Sequence, residues 1–260
     1  MKNSKKNSSS FQKLNNLVAK LRKPNGCDWD RAQTSNSLIP HFIEEVYELI
    51  EAIDKKDSNN IKEELGDVLL HIVFQSQIAS EKNSFTIYDV INRINKKLID
   101  RHPHVFDQNK DKENLINEKV WEKKKQVNKK RKSRIDGVPK ILPSIIAAQR
   151  IQGKASTTGF DWDNIDQVWG KLDEEIMEVK NAYSQGDQNK IEEELGDLLF
   201  TVVNLCRFFN VSGENALRKA NEKFKKRFYS LENHVSKKEK KIEEFSLKEL
   251  NIIWNLVKNS

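Results

Sequence analysis

The sequence predicts an all-α protein, built as two similar four-helix units joined by a basic linker. Three observations carry that expectation. Only 9 Gly and 5 Pro punctuate 260 residues dominated by Leu, Ile, Glu and Lys, which favours long helices over a many-turned β fold. Apolar residues recur at spacings of three and four, and nothing alternates with period two for long enough to propose a sheet. The chain also repeats itself. "GCDWD" (26–30) answers "GFDWD" (159–163), "EEVYE" (44–48) answers "EEIME" (174–178), and "EELGD" occurs at 63–67 and again at 193–197. "NKKLIDR" (95–101) answers "NEKFKKR" (221–227), and "VWEKKK" (120–125) answers "IWNLVK" (253–258). Five stations kept in one order identify a duplicated unit.

Taken in order, residues 1–10, "MKNSKKNSSS", are basic with no apolar segment behind them, so they read as a disordered tail and not as a secretory signal. The first unit spans 11–125. From Leu38 to Asp54 the residues Ile39, Phe42, Ile43, Val46, Tyr47, Ile50 and Ile53 form a stripe expected to be buried. Ser37 is placed to cap that helix, and Pro40 sits in its first turn, where a missing N–H costs little. The polar stretch "KKDSNN" (55–60) leads to a second helix running to about Ala79; so short a connection implies antiparallel neighbours. Residues 85–102 read as a third helix and 115–125 as a fourth. "EKKKQVNKKRKSR" (122–134), then "IDGVPKILPS", combines a run of like charge with helix breakers, which sets a linker at 126–140. The second unit, 141–260, repeats the pattern with helices near 165–183, 188–209, 213–233 and 246–258.

Composition narrows the function classes. The longest apolar runs, such as "VLLHIVF" (68–74), are far too short to cross a bilayer, so no membrane partner is expected. Cys27 and Cys206 match no metal or redox spacing and fit idle thiols in a reducing cytoplasm. A net charge of +7 suits a polyanionic partner, either nucleic acid or a phosphorylated small molecule. No aromatic residues interleave the linker lysines, which argues against a nucleic-acid arm.

The acidic boxes carry the chemistry. Glu45 and Glu48 stand at i and i+3 on the first helix, and Glu64 and Asp67 do the same on the second. At about 100° per residue the first pair points away from the Ile39–Val46–Ile50 stripe. Antiparallel helices would then converge four carboxylates on one spot. Glu175 and Glu178 stand opposite Glu194 and Asp197 in the same way, and the inner pair is sixteen residues apart in both units (48 to 64, 178 to 194). Four close carboxylates repel one another unless protonated or bound to a cation. An all-oxygen set suits Mg²⁺, with Mn²⁺ as the alternative. Iron is disfavoured, because Glu and Asp stand where di-iron bundles place Glu-x-x-His. Gly66 and Gly196 lie inside helices, where Gly costs about 1 kcal/mol relative to Ala, and so point to close packing there.

The third helix adds the opposite charge. Lys97 and Arg101, and likewise Lys223 and Arg227, lie at i and i+4, with Asn95 and Asn221 two residues before each pair. A metal cluster facing two cations is a chamber for an oligophosphate. Trp121 and Trp254 occupy matching places where packing and base stacking both remain open. His71 lies one turn beyond Asp67, but its counterpart is Thr201, so it reads as structural. No Ser-His-Asp or Cys-His pattern is repeated, and covalent catalysis has no support.

These boxes resemble the EExxE…ExxD signature of the all-α nucleoside triphosphate pyrophosphohydrolases. With "GCDWD", "RHPHVF" (101–106), "GFDWD" and "KANEKFKKRF" (219–228) in order, the doubled arrangement is similar to the two-domain MazG members of that family across nearly the whole chain. The resemblance implies hydrolysis of NTPs or dNTPs to the monophosphate and pyrophosphate by metal-activated water. It implies Mg²⁺ held by Glu175, Glu178, Glu194 and Asp197, and in parallel by Glu45, Glu48, Glu64 and Asp67. It also implies a homodimer whose helices complete the substrate pocket. Within the catalytic set Glu174, Glu175 and Glu178, Glu174 is a candidate proton acceptor, as is Glu44 in the first unit. Lys223 and Arg227 would stabilise the leaving group, and Asn221, Trp254, Lys97 and Arg101 complete the candidate substrate contacts.

Lys171 and Lys190 stand one turn before Glu175 and Glu194, where the first unit has His41 and Asn60. Two more cations help to hold a triphosphate of about four negative charges, which points to the second unit as the active one. The alternatives are a narrower pyrophosphatase for dUTP or phosphoribosyl-ATP, or a helical interaction module without turnover.

Overall fold

Each unit is organised around a helical hairpin whose turn is only two residues long. In the computed structural model, which describes residues 2–106, 132–237 and 241–258, the first unit comprises α1 (Lys2–Leu21), α2 (Asp28–Ala32), α3 (Ile39–Lys55), α4 (Ser58–Glu81), α5 (Ile87–Arg101) and the short α6 (Pro103–Phe106). The second comprises α7 (Ser144–Ser156), α8 (Ile165–Gln185), α9 (Gln188–Phe208), α10 (Gly213–Ser236), a 3₁₀ turn at Ile242–Glu244, and α11 (Leu247–Lys258). No described residue lies in a strand. The chain divides into two compact units, Met1–Leu115 and Ile116–Ser260.

The two hairpins are built alike. α3 stops at Lys56, which takes the left-handed conformation (φ 56°), and Asp57 then caps α4 by accepting from the backbone N–H groups of Asn59 and Asn60. In the second unit Gly186 (φ 70°) and Asp187 do the same work, Asp187 accepting from Asn189 and Lys190. A left-handed residue followed at once by an N-cap reverses the chain with its terminal N–H groups satisfied. Glu48 and Glu64, and Glu178 and Glu194, therefore sit on facing arms.

α1 packs on α4, placing Phe11, Leu14 and Val18 beside Leu38, Val73, Phe74, Ile78 and Ile87. Each fully buried aliphatic side chain, such as Val73, contributes about 1.5–3 kcal/mol. α7 holds the corresponding place on α9, and its Gln149 bridges the α9–α10 turn, donating to Val211 O at 2.8 Å and accepting from Gly213 N at 3.0 Å. α10 and α11 close a second apolar cluster around Leu231, Val235 and Ile253.

Several sequence expectations change here. Residues 2–10, expected as a disordered tail, continue α1, because its Phe11–Leu14–Val18 stripe nucleates a helix that nothing in the preceding polar run breaks. α1 and α7 are additional helices, so the described residues of the second unit form five α-helices where four are predicted. Ser37 does not cap α3. The cap position is Leu38, without a side-chain bond, and Ser37 Oγ donates to Gln33 Oε1 at 2.7 Å. The expected fourth helix of the first unit (115–125), Trp121 and residues 126–131 of the linker lie outside the described residues.

The α3 stripe is also not buried: Ile39, Phe42, Ile43, Tyr47 and Ile53 are exposed. α3 packs chiefly on α4, and its inward face runs from the buried cap residue Leu38 through half-buried Glu45 to buried Ala52. The same seven-residue seam in α8 is Val168, Glu175 and Ala182. A glutamate in the middle of a buried seam breaks the apolar pattern by which such a face is recognised. Gly66 and Gly196 face open space rather than the close contact expected of them.

Candidate active site

The seams bring the boxes together. Ligand oxygens of Glu45, Glu64 and Asp67 lie within 4.8 Å of one another, as do those of Glu175, Glu194 and Asp197. Glu48 and Glu178 stand one turn along and join each group through its field. Burial, then Asp67, Glu48 and Glu64, raises the carboxyl of Glu45 above its ordinary range. Burial, then Glu48 and Asp67, raises Glu64. Glu178 is raised by burial, then by Glu194 and Glu175, with Lys171 partly opposing.

Glu175 is the most revealing member. It is only 3% exposed. Its Oε1 lies 2.8 Å from Lys171 Nζ, while its Oε2 is buried with no hydrogen-bond partner. A buried carboxylate oxygen without a donor is costly unless a cation meets it. Three converging carboxylates, one with an orphan oxygen, fit a hard divalent cation.

The predicted cations divide. Lys171 is committed to the acidic helix, at 2.7 Å from Glu174 Oε1 as well as 2.8 Å from Glu175 Oε1, and these contacts raise its pKa. Lys97, Lys190, Lys223 and Arg227 form no ion pair with any described residue. Arg101 lies near the C-terminus of α5. Asn221 lines a shallow groove on α10 with Arg218, Glu222, Phe224 and Lys225, whereas Lys223 and Arg227 are not part of it. Trp254 packs on Phe224 with ring centroids 5.2 Å apart, so packing describes it in this chain. Glu44 is exposed, with its Oε2 3.9 Å from His41 Nδ1. His71 is buried against Phe42, its Nδ1 unpartnered; burial first, then His41, lowers its pKa.

Sequence reasoning passed over the arginines that seat the DWD loops. Arg22 grips Glu81 through both of its oxygens (2.8 and 2.7 Å) and donates to the Asp30 and Gln33 carbonyls at 2.6 and 3.1 Å. In the second unit Arg207 does this from α9, bonding Asp161 Oδ2 at 2.8 Å. The two occupy different places in the repeat, so the repeat gives no signal for them. In the first loop Gly26 is obligatory, since a Cβ there would lie 2.0 Å from Leu21 O.

Duplicated helical hairpins that gather carboxylates from both arms into one group define a class of all-α proteins with an acidic cluster between antiparallel helices. Within that class, the chain belongs to the MazG nucleotide pyrophosphohydrolase family, whose domain model matches residues 33–106 and 166–230. It is 48% identical over 250 residues to the nucleoside triphosphate pyrophosphohydrolase/pyrophosphatase MazG of Thermotoga maritima, covering 95% of each chain. It is 38% identical over 256 residues to the nucleoside triphosphate pyrophosphohydrolase of Escherichia coli K12, covering 96% of this chain and 97% of that one. Identity to the uncharacterized protein YabN of Bacillus subtilis is also 38%, over 96% of this chain and 52% of YabN.

Proposed function

We infer that the chain is a nucleoside triphosphate pyrophosphohydrolase, cleaving NTPs and dNTPs to the monophosphate and pyrophosphate, with Mg²⁺ as its cation and the second unit, 141–260, as its active one. The observation that carries this reading is Glu175, buried beside Glu194 and Asp197 with one oxygen unpartnered, in a chain of this family. Glu175, Glu178, Glu194 and Asp197 hold the cation, and Glu45, Glu48, Glu64 and Asp67 are the parallel set. When bound, the cation polarises phosphate oxygens and lowers the pKa of water.

Water attacks phosphorus in line, the P–O bond to the leaving pyrophosphate breaks, and the proton passes to a carboxylate. Glu174 is the acceptor in this reading, since it is exposed beside the cluster and tethered by Lys171. Lys190, Lys223 and Arg227, which have no ion-pair partner among the described residues, are left to take the phosphates, and Asn221 is the further polar contact of this reading. Lys97 and Arg101 hold the matching places in the first unit. A homodimer belongs to the same reading, supported by exposed leucines on α9. So does a cytoplasmic setting, supported by two free cysteines; no single described helix is long and apolar enough to cross a membrane.

The test is pyrophosphate release from a panel of NTPs and dNTPs with Mg²⁺. Release from several is expected. Release from dUTP or phosphoribosyl-ATP alone would select the narrower enzyme, and no release with either Mg²⁺ or Mn²⁺ would leave only an interaction module.

A further inference from the structure

One lysine in the second unit behaves unlike the other candidate cations. Lys171 Nζ lies 2.7 Å from Glu174 Oε1 and 2.8 Å from Glu175 Oε1, so two of its three donors are already used. Both contacts are within hydrogen-bond range, and the Glu175 side chain is only 4% exposed. Lys190, Lys223 and Arg227 have no such partners among the described residues, as side chains waiting for an anion should not. Within Glu175 the two oxygens differ: Oε1 is taken by Lys171 and Oε2 has no partner.

We propose that Lys171 is a positioning residue for the metal site, fixing Glu175 through Oε1 so that the unpartnered Oε2 faces the cation shared with Glu194 and Asp197. This rests on the reading of those three carboxylates as the metal site. Ligating carboxylates are themselves held by hydrogen bonds, and losing such a support typically costs about 10–100-fold in metal affinity or activity. A flexible glutamate at this place could swing both oxygens toward one ion or turn out of the seam. The ammonium removes those choices before the cation arrives.

The first unit serves as an internal comparison. His41 stands where Lys171 stands, and its Nδ1 is 3.9 Å from Glu44 Oε2, too far for a hydrogen bond. Glu45 accepts no hydrogen bond from a described side chain and is only half-buried. The two clusters thus share their ligands but not this support, and the second unit holds the better prepared site.

The experiment uses the full chain carrying Glu64→Gln, so that the first cluster does not obscure the second. Mn²⁺ binding is titrated by electron paramagnetic resonance in this parent and after adding Lys171→Met or Lys171→Arg. Circular dichroism reports whether the helices persist. Lys171→Met should weaken Mn²⁺ binding at least tenfold and Lys171→Arg should restore most of it, with the loss falling on metal affinity rather than on KM for the nucleotide at saturating metal. Unchanged or tighter Mn²⁺ binding in Lys171→Met, with a raised KM, would make Lys171 a phosphate ligand and overturn the proposal. If the Glu64→Gln parent itself binds no Mn²⁺, the metal reading of the second unit fails first, and the proposal falls with it.

Discussion

Glu178 concentrates the electrostatic problem of the second unit. Burial raises its pKa from 4.5, and Glu194 and Glu175 add to the rise. A divalent cation relieves that crowding, so removing Glu178 should remove the reaction. Glu178→Ala is expected to abolish pyrophosphate release, whereas Glu48→Ala retains most of it; the opposite pattern would sink the choice of the second unit. The same shifts set a pH dependence. A carboxyl raised in the fold contributes stability that is fully present below its unfolded pKa and lost as pH rises through the folded value. Glu45, Glu64 and Glu178 therefore weigh against the metal-free fold at neutral pH, and protons compete with the cation for them on the acid side. The rise in Tm that Mg²⁺ gives over EDTA should be largest near neutrality and shrink as pH falls towards 5. Scanning fluorimetry across that range checks it, and a metal effect that grows on acidification would contradict it. Glu81 behaves oppositely. The hydrogen bond from Arg22 lowers its pKa, so its contribution is present above 4.5 and lost as the pH drops through the folded value.

At the scale of elements, the hairpin turns offer a controlled comparison. Lys56 and Gly186 hold equivalent left-handed positions, at φ 56° and 70°. An L side chain there costs about 1 kcal/mol, so Lys56→Gly should stabilise the first unit by that amount and Gly186→Ala should destabilise the second similarly. Urea denaturation measures both, and equal signs would show that the turns are not equivalent. The Arg22 clasp has larger consequences, since its side chain is 7% exposed and it joins α4 to the loop after α1. Arg22→Met takes the charged partner from Glu81, leaving it only the Gln77 amide, and leaves the Gln33 carbonyl without a donor; it is expected to cost about 2 kcal/mol. Lys at that place would not restore the bidentate fork. These elements were unequally legible in the sequence. α4, α8, α9 and α10 follow from apolar spacing and punctuation, and their bounds differ little from those expected. α1 and α7 were missed because Lys, Asn and Gln dilute their stripes. The inward face of α3 was missed because Glu45 occupies its centre, and only the repeat made that glutamate visible.

For the whole molecule, the duplication leaves one surface feature in both units that neither unit uses internally. Leu195, Leu199 and Val202 form an exposed stripe on α9, at 43%, 65% and 41%, with Gly196 opening onto free space beside it. Leu65, Leu69 and Ile72 repeat the stripe on α4, with Gly66 beside them. A glycine inside a helix that meets nothing in its own unit costs about 1 kcal/mol of helix stability, a cost that a second chain packed against it would offset. Apolar stripes of this kind mark interaction surfaces, and a second copy of the chain presents the matching one. Light scattering should therefore find a homodimer in the wild type. Leu199→Glu should convert it to monomer and lower activity with it, because the resemblance to the family has the dimer completing the substrate pocket. Gly196→Leu separates this from simple misfolding. It raises helix propensity, so the monomer should keep the helical circular dichroism of the wild type, while the added side chain fills the space a partner needs. A monomeric wild type, or a Gly196→Leu variant that dimerises normally, would mean that the stripe has another occupant.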